Sequence, residues 1–209
     1  CIGGVAFRES TPFSPYFGNI SPPIAAAFIC ALGIATLHHL HRNWDFEVFS
    51  SDSWRHGWLI AVGAAIPFMI LVTIADLLLR FPRDINVPPP AALLFYPAMG
   101  LLAQLALHIA PLAALLAATK AIFKTWTYQR LVWVSIALAA TLEAAMQGVA
   151  SWPDNPILGA YVTMHLFLFG VVELYMFRRF DFTSMYVFRL SYYAYWHLLW
   201  GTVRLEWLF

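Results

Sequence analysis

Residues 57–79 read GWLIAVGAAIPFMILVTIADLLL, an unbroken apolar run in which Asp76 is the only charge. At helical rise such a run is about 35 Å long, enough to cross a hydrocarbon core of about 30 Å. It does not alternate, as a strand of a membrane barrel would, and its richness in Ala, Leu and Ile favours helix. Working outward, five more runs of this kind cover 22–40, 92–119, 131–151, 157–177 and 185–203. Pro22 and Pro23 open the first run, and Trp44, Asp45 and Glu47 follow it. Pro88, Pro89 and Pro90 precede the third, and Lys120, Lys124 and Arg130 close it. Trp152-Pro153-Asp154-Asn155-Pro156 reads as a tight turn before the fifth, and Arg178, Arg179 and Asp181 separate the fifth from the sixth. The expected fold is all-α: a polytopic transmembrane helical bundle of about six spans. Residues 1–21 form an extramembrane segment and 22–209 a single transmembrane domain.

Composition agrees. Of the 209 residues, 61% are hydrophobic and 11% charged, against about 25% charged in soluble domains. That excludes an ordinary soluble globule, and it excludes disorder, which needs the opposite balance. A net charge of +1 gives no electrostatic footprint for nucleic acid. Two cysteines, Cys1 and Cys30, support neither a disulfide framework nor a cysteine zinc site. The expected partners are lipids and other membrane subunits, with no cofactor.

Basic residues set orientation. Loops after the first, third and fifth runs carry Arg42, Arg55, Lys120, Lys124, Arg130, Arg178 and Arg179; the other side carries Arg8, Arg80, Arg83 and Arg204. Seven against four places both termini outside, which is periplasmic in a bacterial inner membrane. A chain beginning Cys1-Ile2-Gly3-Gly4 also looks like a lipoprotein cleaved just before its cysteine. Lipidation of Cys1 is therefore one expectation, and a trimmed chain the other. Trp44, Trp54, Trp58, Trp126, Trp152 and Trp207 fall near run ends, where interface anchors belong.

Ionisable groups inside a membrane cost about 2.5–3.5 kcal/mol each on insertion scales and usually face a partner or a cavity. Gln104/His108 and Glu143/Gln147 are spaced i,i+4, so each pair shares a helix face. Alternate threading sets Gln104, Glu143, His165 and His197 at comparable depth. One interior site of a carboxylate, two imidazoles and an amide is expected: a general acid/base pair, a metal half-site, or interhelical hydrogen-bonding glue. Arg189 is expected to snorkel near the inner end, and Glu173 to do likewise or to pair with Arg189. His38, His39 and His41, with His56 nearby, read as interfacial histidines. A metal site there, or a haem between two of His108, His165 and His197, is a lesser alternative.

The order of the last four runs resembles the four-helix core of the CAAX-protease and bacteriocin-processing (CPBP) intramembrane proteases, over roughly 92–209. Ala103-Gln104-Leu105-Ala106-Leu107-His108 stands where that family has Glu-Glu-x-x-x-Arg. Thr141-Leu142-Glu143-Ala144-Ala145-Met146-Gln147 stands on the helix of Phe-x-x-x-His. Tyr195-Trp196-His197-Leu198-Leu199-Trp200-Gly201 stands at His-x-x-x-Asn. The resemblance implies a protease-like core in which Gln104 replaces the water-activating glutamate and His108 the arginine. An amide accepts no proton at physiological pH. The implied function is a non-catalytic accessory or scaffold subunit of a larger membrane complex. The alternative is an intramembrane peptidase in which Glu143 acts as base with His165 and His197 beside it. Phe182-Thr183-Ser184, Tyr195-Trp196-His197 and His38-His39 carry a weaker resemblance to cytochrome c oxidase subunit III, which implies a packed accessory subunit. A proton-relay transporter is a third reading, without the inverted repeats that such proteins show.

Overall fold

The computed structural model describes residues 20–52, 54–151 and 155–209. The expected lipidation site Cys1, nearly all of the segment 1–21, and Trp152, Pro153 and Asp154 of the expected turn lie outside them. Six helices are present among the described residues: α1 (Pro22–Trp44), α2 (Trp54–Leu79), α3 (Ala92–Ile122), α4 (Tyr128–Ser151), α5 (Pro156–Arg179) and α6 (182–207). Helices α1 to α5 are each long and apolar enough to cross a membrane. The sixth expected run sits inside α6, which starts three residues earlier and ends four later.

Each boundary has a local cause. Pro22 and Pro23 start α1, where a missing N–H costs nothing. Asp45 ends it in the left-handed region at φ 53°. Asn155 caps α5, its side-chain oxygen accepting from the N–H groups of Ile157 and Leu158, each at 3.1 Å. Asp181, fully buried, caps α6 by accepting from the Ser184 N–H at 2.6 Å. Its other oxygen accepts from the Ser50 N–H at 2.9 Å, so one side chain fixes both the helix start and the α1–α2 loop.

The chain threads alternately. At one end the loops after α1, α3 and α5 meet: the Tyr128 hydroxyl donates to the Trp44 carbonyl, and Arg178 donates to the Asp45 carbonyl at 3.0 Å. At the other end the α2–α3 loop lies against the last turns of α6, where Arg204 donates to the carbonyls of Phe81 and Pro82. Trp44 is only 4% exposed, stacked on Tyr128 with Lys120 over its ring. It therefore lies within the protein and not at the lipid surface expected of an interface anchor.

The two larger of three apolar clusters among the described residues fill most of the bundle. Leu40, Ile109, Leu112, Ile136, Leu174 and Phe177 join α1, α3, α4 and α5. Phe68, Val72, Phe169, Phe188, Tyr192 and Trp196 join α2, α5 and α6. Two helices contain a wide π-turn, Gln104–Ile109 in α3 and Ala194–Leu199 in α6. The first runs up to Pro111, which has no N–H to continue the helical ladder. Such turns recur at functional sites, and here they carry Gln104, His108 and His197.

Candidate functional site

A buried guanidinium organises the bundle centre. Arg189, two turns into α6, is 1% exposed, which corrects the expectation that it snorkels. Straight-helix depth placed it near the inner end, but its side chain runs inward between α4 and α5 to two carboxylates. Nε donates to Glu173 Oε1 at 2.7 Å and Nη2 to Glu173 Oε2 at 2.7 Å. Nη2 also donates to Glu143 Oε2 at 2.7 Å, and Nη1 to Glu143 Oε1 at 3.2 Å. The remaining Nη1 hydrogen goes to the Tyr193 hydroxyl at 3.0 Å. All five donors of the guanidinium are thereby used, and the rings of Phe169 and Tyr193 lie 5.6 Å from its carbon. Of the two readings of Glu173, pairing with Arg189 is the one the structure contains.

Amides complete the cluster. Gln147 donates to Glu143 Oε1 at 3.0 Å, one turn along α4. Gln104 donates to Glu173 Oε1 at 3.0 Å and to the Met185 carbonyl at 3.1 Å. His108, fully buried on the same face of α3, sets Nε2 at 3.5 Å from Glu143 Oε2 and 3.6 Å from Glu173 Oε2. Gly170 makes room for it: a Cβ there would stand 3.1 Å from that nitrogen. Among the described residues, His108, Glu143 and Glu173 are a group of metal-ligand types whose ligand atoms all lie within 4.8 Å of one another.

Beside the cluster lies a partly open cavity of about 640 Å³. Glu143, Gln147, His165, Arg189, Tyr193 and His197 supply polar lining, among apolar walls. The structure thus gathers three of the four residues expected to meet. Gln104 is not among the lining residues; it lies behind the carboxylates, turned toward Glu173 and the α6 backbone. Depth along a helix fixed its level, but rotation about the α3 axis directs its amide away from the cavity.

The two cavity histidines are separately engaged. His165 is held between the Tyr161 hydroxyl at 3.0 Å on Nδ1 and the Tyr192 hydroxyl at 3.1 Å on Nε2. His197 Nδ1 lies 2.7 Å from Asn86 Oδ1 and its ring stacks on Tyr96 with centroids 4.0 Å apart. His165 and His197 therefore have different partners. At the interface end, His38, His39, His41 and His56 are exposed; His41 Nδ1 lies 3.2 Å from the Phe46 carbonyl oxygen and His56 packs against Phe180.

A second buried ion pair seals the opposite end. Asp76 accepts from Arg204 Nε at 2.6 Å, Arg204 Nη2 at 2.8 Å and Trp200 Nε1 at 2.8 Å, and both charged side chains are fully buried. Arg204 also binds the Phe81 and Pro82 carbonyls at 2.6 and 3.0 Å. Phe81, Pro82 and Ile85 line the cavity, so this pair pins the segment that covers it. Sequence reasoning assigned no role to Asn86 or to the Asp76–Arg204 pair. The signal available was the cost of a lone carboxylate in an apolar run, which calls for a cation at the same depth. No protein-family model, curated protein or solved structure matches the chain.

Proposed function

We propose that this chain is a non-catalytic multi-pass membrane protein, built on a CPBP-like core and acting as an accessory subunit of a larger membrane assembly. The observation that carries this reading is the commitment of Glu143. It is the one carboxylate among the described residues that line the cavity. Both its oxygens accept from Arg189, and one also accepts from Gln147. A general base needs a lone pair directed at the proton it removes, and the acceptor capacity left on Glu143 Oε2 faces buried His108 Nε2 instead. Gln104, at the position of the family's base, is an amide and points elsewhere.

What remains for the cavity is binding. Large apolar side chains on the outer faces of α1 and α2, among them Ile24, Phe28, Ile34, Leu59, Ile66 and Leu78, are exposed. They suit lipid or a partner helix. The basic loops after α1, α3 and α5, which meet at one end, face the cytoplasm in this reading. Both termini then lie outside, periplasmic in a bacterial inner membrane.

The test is native mass spectrometry of the protein extracted in lipid nanodiscs. Partner subunits in a fixed ratio are expected; a monodisperse lone chain overturns the accessory reading. The second reading, an intramembrane peptidase, is favoured by the convergence of Glu143, His165 and His197 on one cavity. Turnover of lipidated or signal-like peptides that survives Gln104→Ala and vanishes in Glu143→Gln would replace the non-catalytic reading with this one.

A further inference from the structure

The charges at the bundle centre do not balance as drawn. Glu143 and Glu173 bring two negative charges and Arg189 one positive, all at 5% side-chain exposure or less. One negative charge is left over, where a net charge is most expensive. Both unmatched acceptors point to one place. Oε2 of Glu143 and Oε2 of Glu173 each accept a single hydrogen bond, from Arg189 Nη2. The next polar atom facing both is His108 Nε2, at 3.5 and 3.6 Å. Both ring nitrogens of His108 are fully buried and neither has a hydrogen-bond partner at closer range; Nε2 is the one that faces the two carboxylates.

We propose that His108, Glu143 and Glu173 form an intramembrane binding site for one proton, carried on His108 as imidazolium and shared by the two carboxylates. The charged groups that face Nε2 come from three neighbouring helices. From α4 the facing charged group is Glu143, from α5 Glu173 and from α6 Arg189; Gln104 neighbours His108 on α3 itself. From α1 the contact on this turn is apolar, Gly33 against Leu105.

Other occupants fit less well. A divalent metal on the same three ligands would sit beside a guanidinium nitrogen already 2.7 Å from both oxygens, and would turn the excess to positive. A sodium ion has the right charge but seeks several oxygens, and the third side here is an imidazole. A proton supplies one charge in no added volume. Glu143 borders the cavity, which gives the proton its route.

The experiment is nitrogen NMR of the full chain, labelled at histidine, in nanodiscs at pH 8. One persistent imidazolium signal is expected, and it should convert to neutral imidazole in Glu173→Gln, where the charges balance without it. No imidazolium in the native protein overturns the proposal. So does one equivalent of metal that copurifies and is removed by a chelator. Stability gives a second readout that needs no labelling. His108→Gln should lower the melting temperature by about 10 °C, and His108→Gln/Glu173→Gln should recover at least half of that loss. Additive losses would mean that His108 only fills space.

Discussion

Glu143 and Glu173, on consecutive helices, share one nitrogen: Nη2 of Arg189 lies 2.7 Å from an oxygen of each. Two carboxylates this close would repel across a low-dielectric interior. The planar fork of the guanidinium turns them into a three-helix tie between α4, α5 and α6.

The fork and not merely the charge makes this tie. Arg189→Gln leaves both carboxylates without it and should cost about 3–5 kcal/mol. Arg189→Lys keeps the charge but has three donors and no planar geometry, so it should fall between. Thermal unfolding in nanodiscs should rank native, lysine and glutamine in that order. A lysine variant as stable as the native protein would refute the geometric role.

At the other end, Arg204→Ala strands Asp76 in the core and should destabilise by about 3–5 kcal/mol. Asp76→Leu/Arg204→Met removes both charges and should be milder than the single change. Because Arg204 also holds the Phe81 and Pro82 carbonyls, hydrogen exchange of residues 80–87 should rise in Arg204→Ala. Unchanged exchange there would separate the ion pair from the cover of the cavity.

His165 bridges two tyrosines, and a neutral imidazole has one donor and one acceptor. Tyr192→Phe leaves a buried ring nitrogen unsatisfied, with an expected loss of about 1–3 kcal/mol. Thr73→Val removes a different tyrosine contact, to Tyr195 at 2.7 Å, on the half-buried face. It should cost less. Denaturant titration of the two variants compares them directly.

Helices α4 and α5 pack tightly at Gly148, where an added Cβ would strike Thr163 Oγ1. Gly148→Ala should cost about 1–3 kcal/mol by overpacking. Thr163→Ala on top of it should relieve most of that cost, provided the contact is steric. Persistence of the full loss in the double variant would point instead to backbone strain.

The helices were legible because twenty apolar residues in a row have few other structures open to them. The i,i+4 pairs were legible too: Gln147 does bond Glu143, and Gln104 and His108 do face Glu173 together. What the chain alone concealed was rotation about each helix axis. Nothing in the run 185–203 says that Arg189 faces α4 and α5, and a reading by depth alone sent it to the membrane surface. Asn86 is a loop residue whose partner, His197, is set by how that loop folds back over α6. The π-turns escape because hydropathy does not register a single widened turn.

The placement of Arg189 and Arg204 has a consequence for biogenesis. During synthesis Asp76, Glu143 and Glu173 all leave the ribosome before either buried arginine, and both arginines arrive on α6. Until α6 is in place, these three acidic side chains lack the cations they pair with in the folded bundle. Helix α6 thus supplies both cations on which the buried acids of α2, α4 and α5 depend, and a nascent chain stopped short of it lacks them.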